Sequence, residues 1–578
     1  MKKTTIWLIV VILSFVYLDF LGFIDSVRAQ SDAGVRGVEE EDLIERYSVG
    51  KALSPAIVAT PPTFSTSLRT ASLGATKPNI IVIITDDQAP NTIGLAGNSV
   101  IKTPNIDRLG KEGIYFKNMY VPTGQCAPSR ASLWTGKMPH AHGVITNGLL
   151  LPDGQVTLPE ILKSTGYQTA FIGKCHLGQA KERFQFDWRI ETDGIPDATK
   201  STYNTWYGYQ ILRNGVVEER SEYITDFLTN ETISYIKSAQ KPFFLWLAHP
   251  APHLPTIPPR GSNRYSIDQI PTPVSITDDS FTKPPQQQIS TRQFYLDKGW
   301  PAIKSFLKDT YEIISNMDNN VGRIMNVLSD LQIRNDTLVI YLSDNGLLFG
   351  EHQQYGKGPT FYEEQMKTPF IISYPALVKQ GKTTDALSST TDVLPTLLDI
   401  LGISLPIGIQ GTSFLPVLTG EQSTYRPSLL LEYAQQGNNK LPMRGIIANG
   451  YKWTHYLAST IGGVFYDGKD YELYDLHQDP YEMNNIMKRL GKDDHPLARM
   501  ITNVTYGSIV RRLRREMAVW QTDTKDPYGK LIKELGIQPS GDTSLTVTWK
   551  TEESLPSEIE WRESSCGTCP IKSVRILR

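Results

Sequence analysis

The run Asn79-Ile80-Ile81-Val82-Ile83-Ile84-Thr85 is mostly β-branched, and it ends abruptly in Asp86-Asp87. Its apolar residues do not alternate with polar ones, as they would in a strand with one solvent-exposed face. A continuous apolar run of this length is typical of a parallel strand that helices cover on both faces. We therefore expect a buried strand here, with two carboxylates at its carboxyl end.

Two more apolar runs have the same form. Residues 337–343 end in Asp344-Asn345-Gly346, and residues 243–247 lead into a loop that carries His249 and His253. Stretches with helical periodicity lie between the runs, at 104–113, 158–166, 223–239 and 303–331. Strands that alternate with helices predict a layered α/β fold, and such folds bind ligands at the carboxyl ends of their strands.

The acids at two of these strand ends are candidate metal ligands. Asp86-Asp87 and Asp344-Asn345 supply hard oxygen atoms with excess negative charge, which favours Ca²⁺ or Mg²⁺ over a soft metal. Taken alone, Asp-Asp is most often a solvated turn and Asp-Asn-Gly is a common tight-turn sequence. Ligand chemistry does not choose between the two ions.

The composition fits a large folded protein and argues against nucleic acid as a partner. The chain has 578 residues, 40% of them apolar, which is enough for one large domain and a smaller one. Its 58 basic and 60 acidic residues nearly cancel, and it has no basic block interleaved with aromatic residues. Four cysteines do not suggest a disulfide framework for the main body; Cys566 and Cys569 either pair with each other or bind a ligand as a CxxC motif.

The N-terminus predicts export from the cytoplasm. Lys2-Lys3, an apolar stretch over 6–24 and the small-residue site Val27-Arg28-Ala29 together indicate a signal peptide at 1–29. The alternative is an uncleaved anchor, because the stretch is nearly long enough to span a bilayer. In both cases we expect the catalytic part outside the cytoplasm, secreted or periplasmic, with no stable membrane span after cleavage. Residues 30–76 are predicted to be an arm and linker.

The segment Cys126-Ala127-Pro128-Ser129-Arg130 carries the strongest functional signal, and it continues as Ala131-Ser132-Leu133-Trp134-Thr135-Gly136. It resembles the signature of the type I, formylglycine-dependent sulfatases of the alkaline phosphatase superfamily, which include arylsulfatases and N-acetylglucosamine-6-sulfatases. The resemblance implies that a maturation enzyme converts Cys126 to formylglycine, reading the proline and the arginine. Without the resemblance, Cys126 would be a lone thiol of the kind that is usually a small buried apolar residue.

Three more segments resemble the motifs of this family in the family's order. Gly173-Lys174-Cys175-His176-Leu177-Gly178 has a cysteine where tryptophan is usual, which puts the packing around Lys174 and His176 in doubt. His253 matches the family's histidine at a strand end, which makes His249 a neighbour and not the catalytic group. Lys357 lies in a Gly-Lys-Gly segment, while Lys367-Thr368-Pro369 replaces the usual Arg-Val-Pro, a change expected to be structural.

The resemblance also implies a ligand set and a mechanism. One divalent cation, Ca²⁺ by preference with Mg²⁺ open, would be held by Asp86, Asp87, Asp344, Asn345 and modified Cys126. Lys174 and Lys357 would clamp the sulfate while a hydroxyl of the hydrated aldehyde attacks sulfur and Asp344 accepts its proton. His253, helped by Lys357, would protonate the leaving alcohol, and His176 would deprotonate the second hydroxyl to expel sulfate. Arg130 would hold the nucleophile and an acidic ligand in register.

The predicted architecture follows from the same resemblance. A large, mixed, mostly parallel sheet between helices, as in alkaline phosphatase, is expected over 77–425. A smaller antiparallel sheet with a helix is expected over 426–525, from strands at 429–433, 445–456 and 463–466 and a helix at 508–522. Residues 526–578 are a C-terminal extension with one strand-like stretch at 544–551.

The leading hypothesis is a sulfatase that hydrolyses sulfate monoesters of a sulfated carbohydrate or an aryl ester. A phosphonate or phosphate monoester hydrolase of the same superfamily is the first alternative, because a sulfate clamp also holds phosphate. A catalytically silent protein that binds sulfated glycans is the second. The Pro/Gln-rich stretch at 255–291 is a predicted wall of the pocket mouth with no readable specificity.

Overall fold

The apolar run at residue 79 forms the central strand of a ten-stranded sheet. In the computed structural model, the strands of this sheet are, in chain order, β1 (Asn79–Thr85), β2 (Ile114–Phe116), β3 (Gln168–Gly173), β4 (Trp188–Glu191), β5 (Tyr209–Arg213), β6 (Val216–Arg220), β7 (Phe243–Ala248), β8 (Thr337–Ser343), β9 (Phe370–Ser373) and β10 (Lys382–Thr384). Their order across the sheet is β10-β2-β9-β8-β1-β7-β3-β4-β5-β6.

The structure describes most of the chain from residue 77 onward. The described residues are 77–177, 184, 186–195, 205–240, 242–278, 291–378, 381–436, 439–457, 459–461, 464–466, 470–488 and 496–526, with four short strands between 536 and 577. The predicted signal peptide, the predicted arm and the pair Cys566 and Cys569 lie outside the described residues.

The centre of the sheet is parallel and its flanks are mixed. β8, β1, β7, β3 and β4 are neighbours in parallel pairs, whereas β9 pairs antiparallel with β8 and β5 pairs antiparallel with β4. This arrangement confirms the predicted large, mixed, mostly parallel sheet.

Alternate residues of β1 enter two different cores. Ile80, Val82 and Ile84 pack on one face of the sheet, and Ile81 and Ile83 pack on the other. All five side chains have no exposed surface. An unbroken apolar run is therefore required, because each face of the strand is covered by helices.

Helices cover both faces of the sheet. The α-helices of the described residues are α1 (Pro104–Lys111), α2 (Cys126–Thr135), α3 (Pro139–His142), α4 (Leu158–Ser164), α5 (Ile224–Ser238), α6 (Thr291–Asp330), α7 (Glu363–Met366), α8 (Val393–Ile400), α9 (Leu415–Thr419) and α10 (Pro496–Asp523). Side chains of α2, α4 and α8 join the core on one face, and those of α1, α5 and α6 join the core on the other. The four helices predicted between the strands thus form close to their expected positions.

A second, smaller sheet lies in the C-terminal third. Its four strands are antiparallel in the order β11 (Ser428–Gln436), β12 (Asn439–Ala448), β13 (Tyr451–Tyr456) and β14 (Asp470–Asp475), and α10 packs against it. The smaller antiparallel sheet with a helix is confirmed. The prediction of one strand over 445–456 was wrong, because Asn449 and Gly450 have φ values of 49° and 77° and form a tight hairpin turn.

Several short strands were not anticipated. Met119–Tyr120 pairs with Ser388–Ser389, and Leu348–Phe349 pairs with Tyr355–Gly356. Ser459–Ile461 is also new, and it pairs with Val464–Tyr466, the strand that was predicted at 463–466. The strand-like stretch of the C-terminal extension is Ser544–Thr548, within a four-stranded sheet with Gly536–Pro539, Glu558–Arg562 and Val574–Leu577. In the described part of the chain, no helix combines the length and apolar character that a membrane crossing requires.

Candidate active site

Neighbouring strands bring the predicted acids together. β1 and β8 are parallel and in register, with Thr85 opposite Ser343, so that Asp86 and Asp344 leave the sheet side by side. The backbone N–H of Asp87 donates to Asp344 Oδ1 at 3.1 Å, and Asn345 Nδ2 donates to Asp87 Oδ1 at 2.6 Å. The acids and Asn345 are almost completely buried. The two strand ends therefore form one acidic cluster.

Helix α2 begins at this cluster with Cys126. The Cys126 Sγ lies 3.4 Å from Asp86 Oδ1 and 3.8 Å from Asp87 Oδ1. The first turn of a helix leaves backbone N–H groups without helical partners, and Asn147 Oδ1 accepts one of them, from Ala127, at 3.0 Å. The predicted nucleophile is thus fixed at a helix start, next to two carboxylates.

Arg130 joins three elements one helical turn further on. Its Nε donates to Asp344 Oδ2 at 2.8 Å, and one terminal nitrogen donates to the carbonyl of Lys174 at 2.8 Å. The other terminal nitrogen lies 3.7 Å from Asp86 Oδ1. Its guanidinium is buried, and a buried arginine fork of this kind fixes the geometry of the acids it contacts. This placement fits the positioning role expected from the sequence.

Lys174 reaches the acids because β3 ends in glycine. Gly173 has φ 122°, and a Cβ at this position would lie 1.8 Å from the carbonyl oxygen of Ala248. Without a side chain, β3 approaches β7 closely enough for the Lys174 N–H to donate to that same carbonyl at 2.8 Å. The buried Lys174 ammonium then contacts the carboxylate of Asp86.

Lys357 contacts the cluster at Asp87 and Cys126, whereas Lys174 contacts it at Asp86. The Lys357 Nζ lies 2.5 Å from Asp87 Oδ1 and also contacts the Cys126 Sγ. Gln365 supports this loop from α7, since its Oε1 accepts from the N–H of Gly358 at 3.0 Å and its Nε2 donates to the Gly358 carbonyl at 2.8 Å. Cys126 therefore lies between carboxylates and an ammonium group.

The predicted histidines occupy different positions at the cluster. His253 Nε2 lies 3.6 Å from Asp87 Oδ2, and its Nδ1 donates to the Leu254 carbonyl at 2.6 Å. His176 is held by its backbone, whose N–H donates to Asp193 Oδ2 at 2.5 Å. Burial, with the positive charge of Lys174, lowers the pKa of His176 to about 2. His249 is fully enclosed, and burial lowers its pKa to about 3.

Burial and the neighbouring charges act against each other in the cluster. Burial would raise the pKa of Asp86, but Lys174, His253 and Arg130 hold it well below its ordinary value. Burial raises the pKa of the Cys126 thiol well above its ordinary value, although Lys174 and Lys357 act in the opposite direction. Burial and the charge of Asp86 raise the pKa of Asp344 to about 6. The site thus favours added positive charge.

The donor atoms of this cluster fit a hard divalent cation. Ligand atoms of Asp86, Asp87, Cys126 and His253 all lie within 4.8 Å of one another. Within the described residues, the buried Asn345 Oδ1 has no hydrogen-bond partner, which leaves it available as a ligand. This group differs from the predicted ligand set by including His253. Asp344 is next to it, with its oxygens accepting from Arg130 and from the N–H groups of Asp87 and Asn345.

Sequence reasoning missed the residues that hold the predicted ones in place. Asp193 accepts from the N–H groups of both Cys175 and His176, and it follows β4 as the other acids follow their strands. The same strand-end rule would therefore have found Asp193. Asn147 and Gln365 lie in a loop and in a short helix without a motif, so no sequence signal identified them. Cys175 is a free, buried thiol in the main core, where the family has a tryptophan.

Comparisons with known proteins agree with this geometry. The Sulfatase family model matches residues 78–403, more than half of the chain, and the model described as N-sulphoglucosamine sulphohydrolase, C-terminal, matches residues 350–505. An N-acetylglucosamine-6-O-sulfatase of Bacteroides thetaiotaomicron is 30% identical over 477 residues, covering 71% of this chain and 82% of the relative. An N-acetylglucosamine-6-sulfatase of Capra hircus is 27% identical, covering 73% of this chain and 82% of the relative.

A solved structure shows the same fold. It is a complex with the substrate D-glucosamine-2-N,6-O-disulfate, and it superposes with a TM-score of 0.65 at 26% identity, covering 78% of this chain and 98% of that chain. The Sulfatase family model spans the part of the chain that holds the acidic cluster and Cys126. The chain therefore belongs to the sulfatase family and is a sulfuric ester hydrolase.

Proposed function

We propose that this sulfatase removes sulfate from a sulfated sugar, using formylglycine at residue 126 and one divalent cation. The observation that carries the proposal is the position of Cys126, at a helix start between the carboxylates of Asp86 and Asp87 and the ammonium group of Lys357. The sugar is supported by relatives named N-acetylglucosamine-6-sulfatases and by the neighbour solved with a disulfated glucosamine.

Modified Cys126 is the proposed nucleophile. A hydrated aldehyde would supply two hydroxyl groups on one carbon, the first to attack sulfur and the second to allow sulfate to leave. The surrounding residues suit such a group, because Cys126 is buried in contact with the charged side chains of Asp86, Asp87 and Lys357. The partner that this requires is a formylglycine-generating maturation enzyme.

The cation would be held by Asp86, Asp87, Asp344, Asn345 and residue 126. It would supply positive charge for the sulfate oxygens and favour deprotonation of the attacking hydroxyl. Oxygen ligands of this kind suit Ca²⁺, and Mg²⁺ remains the alternative.

The remaining residues act on the sulfate and on protons. Lys174 contacts Asp86, and Lys357 contacts Asp87 and Cys126, so we expect a sulfate bound at residue 126 to meet both ammonium groups. His253 presents Nε2 toward Asp87 while the Leu254 carbonyl fixes its other nitrogen, which suits proton donation to the leaving alcohol. His176 would serve as the base for the second step, and Arg130 positions Asp344 and α2.

We also propose that the enzyme acts outside the cytoplasm, in the periplasm or as a secreted protein. The proposal is supported by the N-terminal lysines, the apolar stretch over 6–24 and the small-residue site ending at Ala29. Fractionation of the native host would test it: catalytic protein in the cytoplasm, with Met1 retained, would contradict export.

The first experiment is mass spectrometry of the tryptic peptide Asn118 to Arg130 from the native host, together with a substrate panel. We expect an aldehyde in place of the thiol at Cys126, and hydrolysis of 4-nitrophenyl sulfate that is lost in Cys126→Ala. A thiol throughout an active preparation would contradict the nucleophile. Faster hydrolysis of an aryl phosphonate than of the aryl sulfate would favour the phosphonate hydrolase instead.

Removal of the cation tests the metal site separately. We expect a chelator to abolish sulfate ester hydrolysis and to lower the thermal midpoint, with Ca²⁺ restoring both. A ligand present at about a hundredfold its Kd stabilises the folded state by about 2.7 kcal/mol, which such a scan resolves. Asn345→Ala should weaken Ca²⁺ binding in calorimetry, whereas Asn118→Ala, which removes a partly exposed amide that donates to the Asp385 carbonyl, should leave it unchanged. Equal Ca²⁺ affinity in all three proteins would remove Asn345 from the ligand set.

A further inference from the structure

A cavity of about 430 Å³ opens beside the acidic cluster. Its walls are mostly apolar, formed by Leu254, Phe294, Phe306 and Tyr355, and two polar side chains, Thr256 and Asp309, also line it. Cavities of this size and composition, with a few polar groups among aromatic walls, are the usual form of a small-molecule site.

Two residues that line the cavity are close to the proposed catalytic residues. Leu254 directly follows His253, and its carbonyl oxygen accepts from His253 Nδ1 at 2.6 Å. Tyr355 begins the strand that leads to Lys357, and it is close enough to Asp87 for that charge to raise the pKa of its hydroxyl together with burial. The cavity therefore lies on the side where His253 would protonate the leaving alcohol.

Two polar groups of the cavity remain open to a ligand. Tyr355 is stacked on Phe294 with ring centroids 4.7 Å apart, and its buried hydroxyl has no hydrogen-bond partner among the described residues. Asp309 is partly exposed, and Lys308 Nζ contacts its Oδ1 at 2.9 Å. A buried hydroxyl without a partner is costly, so a bound hydroxyl group would stabilise it.

We propose that this cavity binds the sugar ring of the leaving alcohol and that Asp309 selects against a second sulfate on that ring. This inference rests on the proposed function, and it concerns which sulfated sugars the same site accepts. Phe294 and Tyr355 offer flat apolar surfaces to the ring, while Tyr355 and Asp309 offer a hydroxyl and a carboxylate to its hydroxyl groups. A carboxylate repels a sulfate but accepts a hydrogen bond from a hydroxyl.

This specificity would differ from that of the structural neighbour, whose substrate carries two sulfates. Asp309 lines the cavity and pairs with Lys308, which is not among the described residues that line it. An additional sulfate beside Asp309 would therefore meet its carboxylate before the Lys308 ammonium group, and the carboxylate repels it. Asp309→Asn would both remove the repulsion and release Lys308 to contact the additional sulfate.

The test compares kcat/KM for N-acetylglucosamine-6-sulfate, D-glucosamine-2-N,6-O-disulfate and 4-nitrophenyl sulfate. We expect the wild type to prefer the monosulfated sugar, and Asp309→Asn to raise the ratio of disulfate to monosulfate by about five- to tenfold. Tyr355→Phe should lower kcat/KM for both sugars by about three- to tenfold, the range of one lost hydrogen bond, and leave the aryl sulfate unaffected. Asp297→Asn, an exposed carboxylate of α6 outside the cavity, is the control.

The outcomes separate the two proposals. An enzyme that hydrolyses neither the aryl sulfate nor the sugars fails as the proposed sulfatase. An active enzyme in which Asp309→Asn and Asp297→Asn shift the ratio equally, or not at all, overturns the role of the cavity alone. Thermal midpoints of Asp309→Asn and Asp297→Asn near that of the wild type exclude misfolding. The nearly isosteric Tyr355→Phe tests separately whether the cavity contacts the sugar.

Discussion

At the scale of the residue, the site depends on a small number of buried charges that compensate one another. Asp86 lies between Lys174 and Arg130, and Asp87 contacts Lys357 and the amide of Asn345. A buried carboxylate is stable only with such partners, since desolvation of an unpaired charge is costly. The same ammonium groups that compensate the acids are therefore already in place to receive a sulfate.

Lys174→Gln tests this dual role. We expect kcat/KM for 4-nitrophenyl sulfate to fall by about 10²- to 10³-fold, the usual cost of removing one preorganised donor from a transition state. Lys163→Gln serves as the matched control, because Lys163 is an exposed lysine that contacts Asp187 on the surface. Steady-state kinetics, together with thermal midpoints, would distinguish a lost contact with sulfate from a loss of folded protein. A fall that is explained by unfolded protein would contradict a direct contact with sulfate.

Motifs made the reacting residues predictable, but not the residues that support them. Cys126, Lys174 and Lys357 each lie in a short segment that resembles a family pattern, so their meeting could be expected. Asn147 and Gln365 act through hydrogen bonds between segments distant in sequence, and neither the residue type nor its neighbours indicate such a partner. Side-chain contacts of this kind are fixed by the three-dimensional packing and by no local pattern.

At the scale of the element, the central strands of the large sheet could be predicted from the sequence, but its edge strands could not. β1 and β8 are buried on both faces, so an unbroken apolar run is their only possible composition. An edge strand such as β10 has an exposed and polar sequence, Lys382-Thr383-Thr384, that also suits a loop. The hairpin between β12 and β13 did carry a readable signal, because Asn-Gly between apolar runs is typical of a tight turn.

Gly173→Ala tests how strictly β3 must end in glycine. A methyl group would lie 1.8 Å from the Ala248 carbonyl oxygen, and backbone atoms cannot move aside as a flexible side chain can. We expect a loss of about 3–5 kcal/mol in the free energy of unfolding, combining overpacking with an unfavourable backbone angle. Activity should fall as well, because Lys174 would be displaced from Asp86.

Gly166→Ala is the matched control for this change. Gly166 also has a positive φ, 90°, but a Cβ there has nothing within 4 Å. We expect it to cost only about 1 kcal/mol, the price of the backbone angle alone. Denaturant unfolding of both variants makes the comparison. Equal losses would show that the close approach of β3 to β7 is not what requires glycine.

At the scale of the whole molecule, the C-terminal sheet is bonded to elements next to the proposed catalytic residues. Lys452 of β13 donates to Glu363 Oε1 at 2.8 Å, and Glu363 begins the helix that carries Gln365. On the other side, Glu432 of β11 accepts from the backbone N–H of His140 at 2.7 Å, just beyond the helix that begins at Cys126. The smaller sheet therefore stabilises both the loop of Lys357 and the nucleophile helix.

The hydrogen bonds of His140 to Glu432 should make the stability of the contact between the C-terminal sheet and the large domain depend on pH. The His140 Nδ1 lies 2.6 Å from Glu432 Oε2 and its Nε2 lies 2.9 Å from the Thr524 carbonyl. Both partners are acceptors, so only the doubly protonated imidazolium donates to both. Burial opposes that charge, but the Glu432 carboxylate and the Thr524 carbonyl, with Asp526 nearby, raise the pKa of His140 above its ordinary value. Arg444 also approaches Glu432, at 3.9 Å.

A histidine whose pKa is higher in the folded state stabilises the fold below its unfolded pKa of about 6.5, and this contribution is lost as the pH rises through the folded pKa. We therefore expect His140→Gln to lower the free energy of unfolding by about 1.5–3 kcal/mol at about pH 6, and by clearly less at about pH 9. Denaturant titrations of both proteins at the two pH values measure the difference. His477→Gln, an exposed histidine of the same sheet region, should show no such change. A difference for His140→Gln that stays constant with pH would mean that the ring joins the two sheets as a neutral group, through packing and shape alone.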